Sequence, residues 1–222
     1  MSLQRRAFVK GLAAGAGALA FPNLLRAADA AKRPNIIVIM VDDMGFSDIG
    51  CYGGEILTPN IDRLATRGLR FTQFYNNGKC EPSRASLFTA NYPGWHARGE
   101  TIQWGPAMKS AGFRTYRVGK VHETGGHFDR ACTMGACGSY WDLRAGAQED
   151  PKAPLLDGKP IEDFAKQYPD FYTTDFFTDR AIEFLDQDKA SAEPFFLYVA
   201  YNAPHYPLHA RPEDIAGTAA ST

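Results

Sequence analysis

The chain alternates apolar and polar stretches in two different periods. In RPNIIVIMVDD, Ile36 to Val41 form a continuous β-branched-rich run, the pattern of a strand covered on both faces within a parallel sheet. Asp42 and Asp43 stand at its carboxyl end. TPNIDRLATRG then places Thr58 as an N-cap, Pro59 at the first helical position, Ile61, Leu64 and Ala65 on one face, and Gly68 as a stop. This spacing predicts a short amphipathic helix. The segment LRFTQFY, residues 69–75, alternates as a second strand would and leads into the polar loop NNGK before Cys80. Within CEPSRASLFTA, Pro82 suits the first turn of another helix, with Ala85, Leu87 and Phe88 as packing residues.

The same grammar recurs twice. GPAMKSA, residues 105–111, reads as a helix stopped by Gly112, and FRTYRVGK follows as a short strand that brings Lys120 and His122 to its end. YTTDFFTDRAIEFLDQ carries Phe176, Phe177, Ile182, Phe184 and Leu185 on a helix with a Thr/Asp-rich start, and PFFLYVAYNAPHYP follows as a buried strand ending near His205. Strands that alternate with helices predict an α/β fold with a parallel sheet of doubly wound type.

Composition narrows the class. Of 222 residues, 45% are apolar and 22% charged, values of an ordinary globular chain and not of a disordered one. The formal net charge of −1 leaves no basic excess to neutralise phosphates, which argues against a nucleic-acid partner. At the N-terminus, Arg5 and Arg6 precede a short Ala/Gly-rich apolar run over residues 11–21, with Ala28 and Ala30 framing a cleavage site. Residues 1–30 resemble a twin-arginine export signal, which implies passage of the folded protein through the twin-arginine machinery to a periplasmic or extracellular location. The run is shorter than the roughly 20 apolar residues of a spanning helix. Cys51, Cys80, Cys132 and Cys137 are too scattered for a zinc site or a disulfide framework. A Cys132–Cys137 bridge and unpaired thiols both remain open.

Placement gives the polar residues their meaning. Ligands of open α/β sheets bind beyond the carboxyl ends of the strands, and Asp42/Asp43, Lys120/His122 and His205 each follow such an end. Singly, an Asp-Asp turn or helix cap, a solvated Lys-x-His and a packed loop histidine would explain them; their convergence on one sheet edge points to a site. Cys80 falls at the positive end of its helix with Arg84 one turn on, a setting that lowers a thiol pKa and suits anions. A buried structural thiol is disfavoured by its polar neighbours Lys79, Glu81, Ser83 and Arg84. A cysteine hydrolase would need a base and an oxyanion hole, and would have no use for paired aspartates.

Cys80, Pro82 and Arg84 resemble the CxPxR signature of the type I sulfatases, within its longer CxPSRxxLLTG form. PNIIVIMVDDMGFSDIGCYG resembles that family's opening strand and metal-binding aspartates, GKVHETG its GKWHLG segment, and the APHYP stretch its APHxP segment. These motifs run in the family's order over roughly residues 33–215. Glu81, Ala90 and Val121 depart from the usual small residue, glycine and tryptophan. The resemblance implies an alkaline-phosphatase-like fold, a mostly parallel sheet flanked by helices, in an N-terminal catalytic domain at 33–215 with an unstructured tail at 216–222. It further implies that a maturation enzyme oxidises Cys80 to formylglycine. The hydrated aldehyde has two hydroxyls, one to take the sulfuryl group of a sulfate ester and one to lose a proton so that sulfate is expelled.

By the same carry-over, Asp42, Asp43 and the modified Cys80 would hold one divalent ion, Ca²⁺ by its preference for carboxylates. Arg84 would steady the hydrate, Lys120 would pair with it and with sulfate, His122 would act as base, and His205 would serve the leaving-group side as sulfate ligand or proton donor. His96, His127 and His209 match no motif position. The family completes its metal site with a downstream Asp-Asn pair, which does not occur after the APHYP segment here. The expectation is therefore a truncated catalytic domain. A phosphodiester or phosphonate ester hydrolase of the same superfamily, and a catalytically incompetent remnant, are the alternatives.

Overall fold

A computed structural model describes residues 33–92, 103–121, 127–135, 140–141 and 153–219. The chain divides into two units, Met1–Asn35 and Ile36–Thr222, and the elements below all belong to the second. Strand β1 spans Ile36–Met40, and helices α1 (Pro59–Ala65), α2 (Cys80–Thr89) and α3 (Trp104–Ser110) follow it. Strands β2 (Arg114–Lys120), β3 (Arg130–Met134), β4 (Leu155–Leu156) and β5 (Lys159–Pro160) come next. After them lie α4 (Phe164–Gln167), α5 (Thr173–Gln187), β6 (Phe195–Ala200) and α6 (Pro212–Ala219).

One sheet of order β1-β6-β2-β3-β4-β5 organises the unit. The pairs β1/β6, β6/β2 and β2/β3 are parallel, and the short β3/β4 and β4/β5 pairs are antiparallel. Alternate residues of β6 feed two cores, as the period of two requires. Leu197 and Val199 pack with Tyr116, Val118, Cys132 and the inner face of α5, where Phe176, Phe177, Ala181 and Phe184 are buried. Phe196, Tyr198 and Ala200 pack on the other face with Phe88 of α2 and Trp104 and Met108 of α3. Helices on both faces of a mostly parallel sheet are the predicted α/β arrangement.

Registry brings the strand ends level. Met40 lies opposite Ala200, and Ala200 opposite Gly119, so Asp42, Lys120 and the loop after β6 leave the sheet at one edge. Gly119 makes that close approach workable: its φ is +102°, and a Cβ there would lie 1.9 Å from the Ala200 carbonyl oxygen.

Four expectations are corrected. Among the described residues β1 is an outer strand, half-buried on one face, with Ile37 51% and Ile39 59% exposed on the other. Helix α5 lies over β2, β3 and β6 and does not cover β1. Residues 69–75 form no strand, because their alternation meets no pairing partner among the described residues and backbone groups without one stay solvated. Helix α1 is not held by an apolar face, since Ile61 and Leu64 are exposed. Polar ties hold it instead: Asp62 accepts from the Cys51 N–H at 2.7 Å, and the Thr58 hydroxyl accepts from the Gly50 N–H at 2.9 Å. Lastly, α6 runs through residues 216–219 of the expected tail, with Pro212 at its start and Glu213 and Asp214 favourably placed in its first turn.

Residues 1–30, with the export signal, and Cys137 lie outside the described residues. Cys132 is a free thiol with no exposure, and burial pushes its pKa up to about 12. No helix among the described residues is long and apolar enough to cross a membrane.

Candidate active site

Helix α2 begins at Cys80 because the loop before it is tied down. The Asn77 side-chain amide donates to Pro82 O at 3.2 Å and to the Ser86 hydroxyl at 2.9 Å, and its N–H donates to the Ser83 hydroxyl at 3.1 Å. Lys79 keeps extended backbone as the N-cap, which leaves half-buried Cys80 at the first helical position. That is the helix end whose free N–H groups carry partial positive charge.

Arg84, one turn along on the same side of the helix, is buried, at 1% exposed. Its Nη2 lies 3.2 Å from Asp42 Oδ1, and its Nη1 donates to the Tyr198 hydroxyl at 3.2 Å. Lys120, also 1% exposed, hydrogen-bonds Asp42 Oδ2 through Nζ. Asp42 is thus a buried carboxylate with a cation on each oxygen. Burial pushes its carboxyl up, but the Lys120 hydrogen bond and the charges of Arg84 and Lys120 outweigh this and hold it below its ordinary value. One carboxylate cannot neutralise two cations, and Arg84 Nε has no hydrogen-bond partner among the described residues. Buried positive charge left in surplus is costly, and an arriving oxyanion would relieve it.

Asp43 turns outward. Its backbone is left-handed at φ 63°, its side chain is 58% exposed, and Oδ2 lies 3.7 Å from His205 Nε2. His205 Nδ1 faces the Tyr206 carbonyl oxygen at 2.5 Å. A carbonyl only accepts, so Nδ1 carries hydrogen and Nε2 is the nitrogen left to exchange a proton. The loop bearing His205 is fastened to β1: the Tyr201 N–H donates to Met40 O at 2.8 Å and the Asp42 N–H to Ala203 O at 3.0 Å.

The structure therefore brings Asp42, Arg84 and Lys120 into direct contact, with His205 beside Asp43, and places Cys80 one helical turn from Arg84. His122 and His96 lie outside the described residues. His209 accepts from the Tyr140 N–H at 3.3 Å, a structural contact. Tyr198, Asn77 and Tyr140 were not singled out by pattern. Tyr198 alone had a signal: it is the one hydroxyl in an otherwise apolar strand, and a buried phenol needs a partner.

Asp42 and Asp43 are hard oxygen donors of the kind Ca²⁺ takes, so the donors fit such an ion in kind. They are fewer than its usual six to eight, and among the described residues no three His, Cys, Asp or Glu side chains gather to hold a metal.

Comparison with known proteins adds relatives to this geometry. A family model described as Sulfatase matches residues 34–222. The uncharacterized sulfatase YidJ of Escherichia coli (strain K12) is 34% identical over 199 residues, covering 80% of this chain and 39% of its own. The N-acetylgalactosamine-6-sulfatase of Canis lupus familiaris is 32% identical over 228 residues, covering 84% of this chain and 42% of its own. The crystal structure of Ps i-CgsB in complex with k-i-k-neocarrahexaose superposes with a TM-score of 0.69 at 31% identity, covering 84% of this chain and 48% of that one. The chain thus spans about two fifths of the length of these two sequence relatives.

Proposed function

The chain belongs to the sulfatase family, and from that premise we propose that the protein hydrolyses sulfate esters through a formylglycine made from Cys80. The observation that carries this reading is the buried Asp42–Arg84–Lys120 cluster, set one helical turn from Cys80 with two cations to one carboxylate among the described residues. A formylglycine at position 80 supplies a hydrated aldehyde, with one hydroxyl to attack sulfur and a second whose deprotonation releases sulfate.

The remaining work falls to ordinary side chains. Arg84, held from below by Asp42 and the Tyr198 hydroxyl, keeps a fixed positive charge near residue 80. Fixed charge of this kind stabilises developing negative charge without reorganising during the reaction. Lys120 offers further N–H donors to sulfate oxygens, and His122 takes the proton lost when sulfate leaves. His205, through Nε2, gives a proton to the departing alcohol. Asp42, Asp43 and the oxygen derived from Cys80 would hold a divalent ion, Ca²⁺ for its carboxylate preference, which when bound adds charge that polarises the sulfate.

The substrates we propose are sulfate esters of sugars, a reading supported by the relatives, among them an N-acetylgalactosamine-6-sulfatase and a structure holding a carbohydrate. Two partners belong to the same proposal. A formylglycine-generating enzyme would act on the CEPSR segment, and the twin-arginine machinery would then export the protein.

The test is mass spectrometry of the tryptic peptide containing Cys80 after co-production with the maturation enzyme. Conversion to an aldehyde is the expected result, and in a full-length protein Cys80→Ala reduces sulfate release to background with the unfolding transition unchanged. A peptide that stays wholly thiol, or undiminished turnover by the alanine variant, would overturn the mechanism.

A further inference from the structure

Tyr140 lies outside every motif of the sequence, yet it is 1% exposed and touches the His205 loop at several points. Its hydroxyl lies 2.9 Å from Asn202 O and 2.5 Å from His205 O, its one hydrogen shared between the two carbonyls that bracket Ala203 and Pro204. Its backbone N–H donates to His209 Nδ1 at 3.3 Å, and its ring meets the His209 ring edge-on with centroids 5.8 Å apart. Its carbonyl accepts from the Thr173 N–H at 2.9 Å, at the first residue of α5. One buried residue therefore ties the segment Asn202–His209 to the start of α5, on the side away from β1.

The loop is also held at its start by the pair of hydrogen bonds to β1 described above, which end at Ala203, and at its far end by the Tyr172 hydroxyl, which donates to His209 O at 3.5 Å. Between Ala203 and His209, among the described residues, the His205 backbone is held by the Tyr140 hydroxyl on its carbonyl and by its own N–H, which donates to Asn202 O at 3.0 Å. Rotation of the His205 peptide would swing the imidazole away from Asp43, and a displacement near 1 Å at a reacting group costs on the order of 10²-fold in rate.

We infer that Tyr140 is a positioning residue that aims His205 Nε2 at the leaving group. This rests on the sulfatase reading and deepens it, separating proton donation by His205 from mere sulfate binding. Protonation matters most for a poor leaving group, so loss of aim slows phenyl sulfate more than 4-nitrophenyl sulfate, whose phenolate departs readily without help. A residue with only a structural role, or a His205 that only binds sulfate, would slow both esters alike.

The experiment compares kcat and KM of the matured full-length protein and its Tyr140→Phe variant on these two esters. The expected result is a fall in kcat of about tenfold or more for phenyl sulfate, with less than about a twofold change for 4-nitrophenyl sulfate and KM nearly constant for both. Equal losses on both esters, or no loss on either, would overturn the inference. An unsubstituted protein inert toward both esters would also overturn it, and one that in addition releases no sulfate from sulfated sugars would sink the sulfatase reading on which it stands. If Tyr140→Phe shows no cooperative unfolding transition, 3-fluorotyrosine at position 140, a stronger donor of nearly the same shape, replaces it. Turnover of phenyl sulfate must then change relative to 4-nitrophenyl sulfate, and an unchanged ratio counts against the role.

Discussion

Ala90 closes helix α2 in the left-handed conformation, at φ 53° and ψ 28°. An L-residue with a Cβ is disfavoured there by roughly 1–2 kcal/mol, and glycine is not. The sulfatase pattern that this segment resembles carries glycine at that place. Ala90→Gly should therefore stabilise the protein by about 0.5–1 kcal/mol, part of the gain being lost to the freer unfolded chain. A rise in the urea midpoint at constant slope is the expected observation. The departure from pattern at position 90 was legible in the sequence; the left-handed backbone that gives it an energetic consequence was not. Cys80 and Arg84 differ in the same way. Their spacing was evident, but only the fold sends Arg84 inward to Asp42 while Cys80 stays half-buried at the helix start.

Strand β2 shows how an element carries a site residue to its place. Val118 and Tyr116 bury themselves on the α5 face, and the chain runs past Ala200 of β6 at Gly119 before Lys120 reaches Asp42. A methyl group at position 119 would collide with the Ala200 carbonyl, and the positive φ would strain any side chain. Gly119→Ala should cost at least about 3 kcal/mol, since a close backbone clash and a disfavoured conformation act together. Thermal unfolding would measure it, and an unchanged midpoint would show that β2 and β6 can separate without penalty. The periodic signals identified β1, β2, β6, α3 and α5 because each of those elements buries a face. They misled for residues 69–75, where an alternating pattern has no neighbouring strand among the described residues to pair with.

Three elements meet at Asp42, so its removal is felt across the unit. β1 supplies the carboxylate, α2 the guanidinium and β2 the ammonium, and all three side chains are nearly fully buried. Asp42→Asn would leave two buried cations facing a neutral amide, at a cost of about 3–5 kcal/mol. Urea unfolding should show that loss, and pairing the change with Lys120→Met should recover part of it because one of the unpaired charges disappears. Recovery would identify charge, not lost packing, as the origin.

The sequence by itself determined the alternation of strands and helices, the family motifs in their order, and the set of residues competent for the chemistry. These are local properties, carried by side-chain periodicity and by residue type. Only the tertiary structure decided that β1 is an outer strand among the described residues, that Asp42 is paired with both Arg84 and Lys120, and that Tyr140 and Tyr198 support residues distant in sequence. Such contacts depend on strand order and on which buried polar groups find partners across the sheet, and nothing in a window of neighbouring residues encodes them.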